Sequence, residues 1–226
     1  MDAMILAAGR GERMRPLTDH APKPLLQAGG RSLIEYHVTA LAAAGIRIVV
    51  INIAHLAEQI VAALGDGTIW GVEIRYSHER AGALETAGGI VHALPLFDSD
   101  RFVVINADIF TDYAIKALAD TPTSAAHLVM VPNSAHHPDG DFRLDGDRVT
   151  PLHSGTGTAA TFAGIGLYHR DFFAGCRAGK RALGPLLRTA VAAGSVSGEC
   201  HGGYWVDIGT PERLHDLRRY LGDEIE

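Results

Sequence analysis

Three arginines and a lysine crowd a stretch near the amino terminus, Gly9-Arg10-Gly11-Glu12-Arg13-Met14-Arg15-Pro16, followed by Lys23 between Pro22 and Pro24. Glycine lets backbone N–H groups approach a ligand closely and form an anion nest. Guanidinium groups grip phosphate oxygens in pairs, and flanking prolines restrict the backbone that carries the lysine ammonium. The chemistry is that of polyanion binding, and the arrangement suits a triphosphate. Two carboxylates complete the set. Asp108 closes the apolar run Val103-Val104-Ile105-Asn106-Ala107-Asp108, and Asp207 lies in Tyr204-Trp205-Val206-Asp207-Ile208-Gly209-Thr210. Mg²⁺ or Mn²⁺ needs only one or two such oxygen donors and takes the rest from water and phosphate. Phosphoryl and nucleotidyl transfers use such an ion to screen the anions and hold them in line.

Several familiar meanings of this loop are excluded. A dinucleotide-binding fingerprint requires glycine where Met14 stands, and a Gly-x-x-x-x-Gly-Lys-Ser/Thr phosphate loop is absent. On residue types alone, an ordinary turn with solvated charges stays open, as does a capping or solvated role for each aspartate. Ala83-Leu84-Glu85-Thr86-Ala87-Gly88-Gly89 lies between a strand and a helix; Thr86 suits a helix cap, and Glu85 suits acceptance from a base or sugar. His136-His137 has no third ligand at credible metal spacing and reads as a loop pair, and Trp205 reads as a core aromatic.

The elements that must position these groups alternate. Ala3–Ala8 reads as a buried strand, followed by a long loop over residues 9–31. Ser32-Leu33-Ile34-Glu35 is a capping box, and its helix runs to Ala44 with Gly45 as the stop. Strands follow over 46–52, 72–77 and 102–105, with helices over 55–64 and 86–94. The second half holds strands over 127–131, 161–168 and 204–208, an Asp-Gly hairpin over 142–149, and an amphipathic helix over 182–193. Thr210-Pro211 starts a final helix. The expected fold is α/β, three-layered and Rossmann-like: a mixed, mostly parallel sheet with helices on both faces and a small β-hairpin insert. Residues 1–226 form one domain in this reading, with nucleotide binding mainly in 1–110 and sugar binding mainly in 111–226.

Composition bounds the partners. The formal net charge of −6 disfavours a nucleic-acid surface, so an anionic substrate requires a locally basic pocket. Two cysteines make no disulfide framework, which points to a reducing cytoplasm. The first residues have no basic leader pattern, and no apolar run approaches the ~20 residues of a membrane span.

The run LAAGRGERMRPLTDHAPKPLL, residues 6–26, resembles the signature LAAGxGxRxxPLTxxxPKPL of the sugar-phosphate nucleotidylyltransferases. The resemblance continues through SLIEYH, GDFRL and WVDIGTPERL, and within the family it points to compact members that use UTP. It implies that Ala8, Gly9, Gly11 and Glu12 wrap the nucleotide phosphates. Arg13 then neutralises charge on the transferred group, and Lys23 binds the α-phosphate or the incoming sugar phosphate. It also implies that Asp108 and Asp207 hold Mg²⁺ or Mn²⁺, with Arg13, Lys23 and Asp108 forming the catalytic set. Leu84, Glu85 and Gly88 are assigned to the nucleobase, Asn106 to the ribose or sugar, and Asp141, Thr161 and Gly164 to the sugar. The chain departs from the family at Ala107, where glycine is usual; an alanine is strained there if the position needs positive φ. The implied partners are UTP and a sugar 1-phosphate, without nucleic acid or membrane, on a monomer or weak homodimer. Another nucleotide and sugar pair within the class, or a catalytically silent nucleotide-binding regulator, stays open.

Overall fold

Residues of alternate parity along the first strands bury on opposite sides of one sheet, and this sorts the chain into layers. The computed structural model describes residues 1–79, 82–122 and 125–223. Strand β1 (Asp2–Leu6) leads into the long loop, which holds a small hairpin, β2 (Gln27–Ala28) and β3 (Arg31–Ser32). Helix α1 (Leu33–Ala43) starts at the expected capping box, where Ser32 N–H donates to Glu35 Oε2 at 2.7 Å. There follow β4 (Ile48–Ile53), α2 (Ala57–Leu64), β5 (Glu73–His78), α3 (Glu85–Ala93), β6 (Arg101–Asn106), β7 (Ile109–Thr111) and α4 (Ile115–Ala119). The rest comprises β8 (Ala126–Val131), β9 (Phe142–Asp145), β10 (Arg148–Thr150), β11 (Thr158–His169), α5 (Leu183–Ala192), β12 (Val196–Cys200), β13 (Trp205–Asp207) and α6 (Pro211–Tyr220).

Ala3, Ile5, Val49, Ile51, Val103 and Ile105 join the core under α1, α2 and α4. Met4, Val50, Phe102 and Val104 join the opposite core under α3 and α5. Each fully buried side chain of this kind contributes about 1.5–3 kcal/mol, so both cores are needed to hold the sheet between its helices. Among the described residues no helix is long and apolar enough to cross a membrane.

The expectation of a mostly parallel sheet is corrected. The sheet has nine strands among the described residues, ordered β5-β4-β1-β6-β11-β8-β12-β10-β9. Parallel pairing is confined to β5-β4-β1-β6 and to β8-β12; the other contacts are antiparallel. The hairpin is no peripheral insert. β10 pairs with β12, and β9 pairs with β11, closing β11-β8-β12-β10-β9 into a small barrel. β11 serves both halves because it carries a bulge between Phe162 and Ile165, with Gly164 at φ 75°. A bulge bends and twists its strand, so one end pairs with β6 while the other curls into the barrel.

Besides the β2-β3 hairpin within the expected loop, three elements, β7, α4 and β12, have no counterpart in the sequence reading. β7 and α4 are short, and β12 reads Val-Ser-Gly-Glu-Cys, a weak strand pattern. Its Gly198 is required by packing: a Cβ there would lie 2.7 Å from Val149 and 2.9 Å from the Leu128 carbonyl.

Candidate active site

The carboxyl ends of β4, β1 and β6 lie level, with Leu6 paired to Asn52 on one side and Asn106 on the other. The chain leaves β1 for β4 on one side, and β6 on the other side is entered only later, from β5, so the strand order reverses at β1, the position at which open α/β sheets bind ligands. β1 ends at Leu6 because the Ala7 N–H turns to the Asn52 side chain, donating to Oδ1 at 2.8 Å.

The loop after β1 is built rather than loose. Three short turns, Glu12–Met14, Leu17–Asp19 and Lys23–Leu25, fold it. Met14, Leu26 and Ala28 pack with Ile208, Leu214 and Leu217, forming a third core that ties this loop to the last strand and helix. Gly29 N–H donates to Asp223 at 2.6 Å, and Arg218 donates to the Gln27 carbonyl at 2.9 Å, reinforcing the clasp. Gly11 is required twice over: its φ is 66°, and a Cβ would lie 3.0 Å from Thr18 and 3.2 Å from Lys23. A Cβ on Gly9 would meet no protein atom within 4 Å, so its glycine leaves open cleft beside the backbone.

A cavity of about 520 Å³ opens above these strand ends, lined by Ala8, Gly9, Gly11, Glu12, Arg13, Lys23, Glu85, Asn106 and Asp108 among others. A second compartment of about 350 Å³ adjoins it and is lined by Thr161, Gly164 and Asp207, among others. Arg13, Asn106 and Asp108 line both. Lys23 Nζ donates to Asp108 Oδ2 at 2.6 Å, with the lysine side chain only 10% exposed. Asp207 is brought alongside by β13 pairing with β7: the Ile208 N–H donates to the Asp108 carbonyl at 2.7 Å. Arg213 donates to Asp207 Oδ2. A Cβ on Gly209 would lie 3.0 Å from Asp207, 3.3 Å from Arg213 and 3.4 Å from Arg13, so these charged groups converge there.

This donor set suits Mg²⁺. One oxygen of each carboxylate is held by a cation, and Asp108 Oδ1 has no hydrogen-bond partner among the described residues. Among the described residues no group of three or more His, Cys, Asp or Glu could hold a metal ion, and Mg²⁺ bound by one or two carboxylates takes its other ligands from phosphate and water. Ala107 raises no strain, since its φ is not positive, and it packs in the core under α1. Behind it, burial lowers the His37 imidazole to about 4, against a backbone hydrogen bond at Ile109 and the Asp108 charge. His37 is therefore neutral near pH 7 and leaves Asp108 to Lys23.

Leu84 and Gly88 do not line the cavity. Arg181 N–H donates to the Leu84 carbonyl at 2.9 Å, and Gly88 N–H donates to the Arg181 carbonyl at 3.0 Å, so both seat the 179–181 segment. A Cβ on Gly88 would lie 2.3 Å from the Gly179 carbonyl. Thr86 faces the cavity instead of capping α3, which begins at Glu85 with φ 60°. The N-cap residue is Leu84, held from outside the helix by Glu79, whose Oε2 accepts from Leu84 N–H at 2.6 Å and whose Oε1 accepts from Asn52 Nδ2 at 2.7 Å. Asn52 and Glu79 are buried, line the larger cavity, and are not among the site residues of the sequence reading. The Gly88-Gly89 pair within a helix was their signal, because a helical glycine usually has a packing reason.

Gly89 faces this network directly: a Cβ would lie 2.6 Å from Glu79 Oε1 and 2.9 Å from Asn52 Nδ2. Alanine gains about 1 kcal/mol of helix propensity. Overpacking costs about 1–3 kcal/mol and a broken buried hydrogen bond a similar amount. Gly89→Ala is therefore expected to lose about 1–5 kcal/mol of stability and to weaken UTP binding, measured by thermal melting and by titration. An unchanged or raised melting temperature would show that the network yields without loss.

In the second compartment, Gly164 makes room for Asn106, since a Cβ would lie 2.6 Å from Asn106 Nδ2. Trp205 does both jobs: it packs on the core, lines the compartment, and donates from Nε1 to the Ala163 carbonyl at 2.9 Å. Asp141 does not line it; Oδ2 accepts from Phe162 N–H at 2.8 Å, and Oδ1 lies 3.3 Å from His137 Nε2. The loop histidines do line it, and His136 Nε2 lies 3.5 Å from Asp207 Oδ1.

The nucleotidyl transferase family model matches residues 2–142. An N-acetylmuramate alpha-1-phosphate uridylyltransferase of Neisseria meningitidis serogroup B is 48% identical over 228 residues, covering 98% of this chain and 99% of its own. A protein of the same description from Caulobacter vibrioides is 32% identical, covering 93% of this chain and 92% of its own. The crystal structure of a putative glucose-1-phosphate thymidylyltransferase from Bacillus anthracis shares the fold, with a TM-score of 0.86 at 20% identity over 100% of this chain and 96% of that one.

Proposed function

Because the chain belongs to the nucleotidyl transferase family, we propose that it transfers the uridylyl group of UTP to N-acetylmuramate α-1-phosphate, releasing pyrophosphate, as a step in the reuse of cell-wall sugar. The observation that carries this reading is the meeting of two compartments at Arg13, Asn106 and Asp108. Two anions must approach one another for this reaction, and here they approach across fixed charge.

UTP occupies the compartment over the carboxyl ends of β4, β1 and β6, its phosphates along Ala8 to Arg13. Glu85 and Thr86 face the nucleoside end, and Asn106 stands at the junction. The sugar 1-phosphate enters beside Thr161 and Gly164. A phosphate oxygen of the sugar forms the new bond to the α-phosphorus, and the α–β bridging P–O bond breaks, its electron pair leaving on pyrophosphate. No general base is needed, because a phosphomonoester with second pKa of about 6 is mostly dianionic near neutrality. Arg13 and Lys23 screen the charge that brings the reactants together, and their fixed placement makes the attack effectively intramolecular. Asp108 and Asp207 are the residues that hold Mg²⁺, which when bound supplies further positive charge to the phosphate oxygens. The protein works as a monomer or weak homodimer in a reducing cytoplasm, where both free cysteines, Cys176 and Cys200, stay reduced.

Pyrophosphate release from N-acetylmuramate α-1-phosphate with each of the four ribonucleoside triphosphates tests this. UTP is expected to exceed the others in kcat/KM by about 100-fold or more, the discrimination that a site hydrogen-bonded to one base achieves. Preference for another nucleotide overturns the uridylyl assignment. Nucleotide binding without pyrophosphate release favours a silent regulator.

A further inference from the structure

The loop between β8 and β9 is stitched more closely than a connector requires. Asn133 Nδ2 donates to the Pro138 carbonyl at 2.9 Å, and Asn133 Oδ1 accepts from Thr161 Oγ1 at 2.9 Å. His137 N–H donates to the Ser134 carbonyl at 3.0 Å, and Asp141 N–H donates to the Ala160 carbonyl at 2.9 Å. Gly140 has φ 69°, and a Cβ there would lie 2.5 Å from Asn133 Oδ1, so the turn admits no larger residue without shifting. The product of this bracing is a pair of imidazoles, His136 and His137, held at the wall of the sugar compartment with side chains 50% and 43% exposed.

The two are held differently. His136 lies beside Asp207 and Ser134. His137 is oriented by Asp141, itself fixed by the Phe162 N–H, and among the described residues no hydrogen bond engages its Nδ1. The Asp141 contact occupies one ring nitrogen of His137 and leaves the other for a group bound in the compartment. The arginines of the compartment have evident duties: Arg13 converges with Asp207 and Arg213 at Gly209, and Arg213 is paired with Asp207. With His136 beside Asp207, His137 is the hydrogen-bonding side chain of this loop without a task in phosphate or metal chemistry.

We propose that His137, positioned by Asp141 on the braced 133–141 loop, binds a carboxylate carried by the sugar and so selects acidic over neutral N-acetylhexosamine 1-phosphates. The inference rests on the uridylyltransferase reading, in which the sugar bears an ether-linked carboxylate. Asp141 is then a positioning residue one step removed from the sugar.

The experiment measures kcat/KM with UTP for two sugars, N-acetylmuramate α-1-phosphate and N-acetylglucosamine α-1-phosphate, which differ by that carboxylate. The wild type is expected to prefer the acidic sugar. In His137→Gln the preference falls about tenfold or more, through KM for the acidic sugar, the scale of one charged hydrogen bond. His137→Glu reduces the preference further by repulsion, His137→Arg retains most of it, and Asp141→Asn lowers it by less than His137→Gln. A wild type without preference overturns the choice of substrate, and the inference with it. A wild type that prefers the acidic sugar, with variants that slow both sugars equally or neither, overturns the inference alone.

Discussion

Replacing Asp108 by asparagine is expected to lower pyrophosphate release by about three orders of magnitude, as is replacing Asp207 by asparagine, with the fold retained. The substitution keeps side-chain volume and removes the negative charge that attracts a divalent cation. The scaffold survives because the contact joining the two segments is backbone: the Ile208 N–H donates to the Asp108 carbonyl, and β7 pairs with β13. The stability cost comes from the cations left behind. Lys23 is nearly enclosed and loses its partner at 2.6 Å, whereas the Asp108 side chain is 41% exposed. Losing one partner of a fully buried pair costs about 3–5 kcal/mol; solvent at Asp108 reduces this to about 1–3 kcal/mol. Thermal melting separates this modest loss from the kinetic one. Near-normal turnover in both variants would remove the two aspartates from the metal site.

Lys23→Met is expected to lower kcat/KM by about 100- to 1,000-fold, the usual cost of removing one preorganised electrostatic group from a phosphoryl-transfer site. Methionine fills the volume of the lysine stem, so the loss reports charge rather than a hole. The ammonium sits where both compartments meet Asp108, and its placement depends on a turn whose first residue follows Pro22. Lys23→Arg is expected to rescue little. Its Cβ already lies against the Gly11 backbone, and a planar fork needs room that a compact ammonium does not. Single-turnover rates, with UTP affinity measured separately, decide the matter: weaker binding at an unchanged chemical rate would make Lys23 a ground-state anchor only.

Much of the parallel half was legible in the sequence because its signals are local. The capping box at Ser32, the stop at Gly45, and the apolar strands expected over 46–52 and 102–105 each lie within one short window, and each has its counterpart in the structure, the strands as Ile48–Ile53 and Arg101–Asn106. The antiparallel half was less legible. β12 is held by partners far along the chain, its parallel neighbour β8 and the short β10, and Val-Ser-Gly-Glu-Cys carries little strand preference of its own. Barrel closure depends on one bulge at Gly164, and a lone glycine in a strand pattern does not announce its register.

The opening loop shows the same division. Its residue types alone supported an anion site of fixed positive charge and left an ordinary turn with solvated charges open, since glycine and arginine carry that capacity wherever they fold. Only the tertiary structure decided that Met14 is a core residue joining the loop to Ile208 and α6, which carries Arg13 toward Asp207. It alone placed Asn52 and Glu79 in the cavity over the strand ends, put Leu84 and Gly88 in a backbone seat for Arg181, and set Asp141 behind His137. Local sequence encodes what a side chain is able to bind and which short element carries it. Which groups share a cleft is set by contacts between segments tens of residues apart, whose pairing depends on the packing of the whole chain.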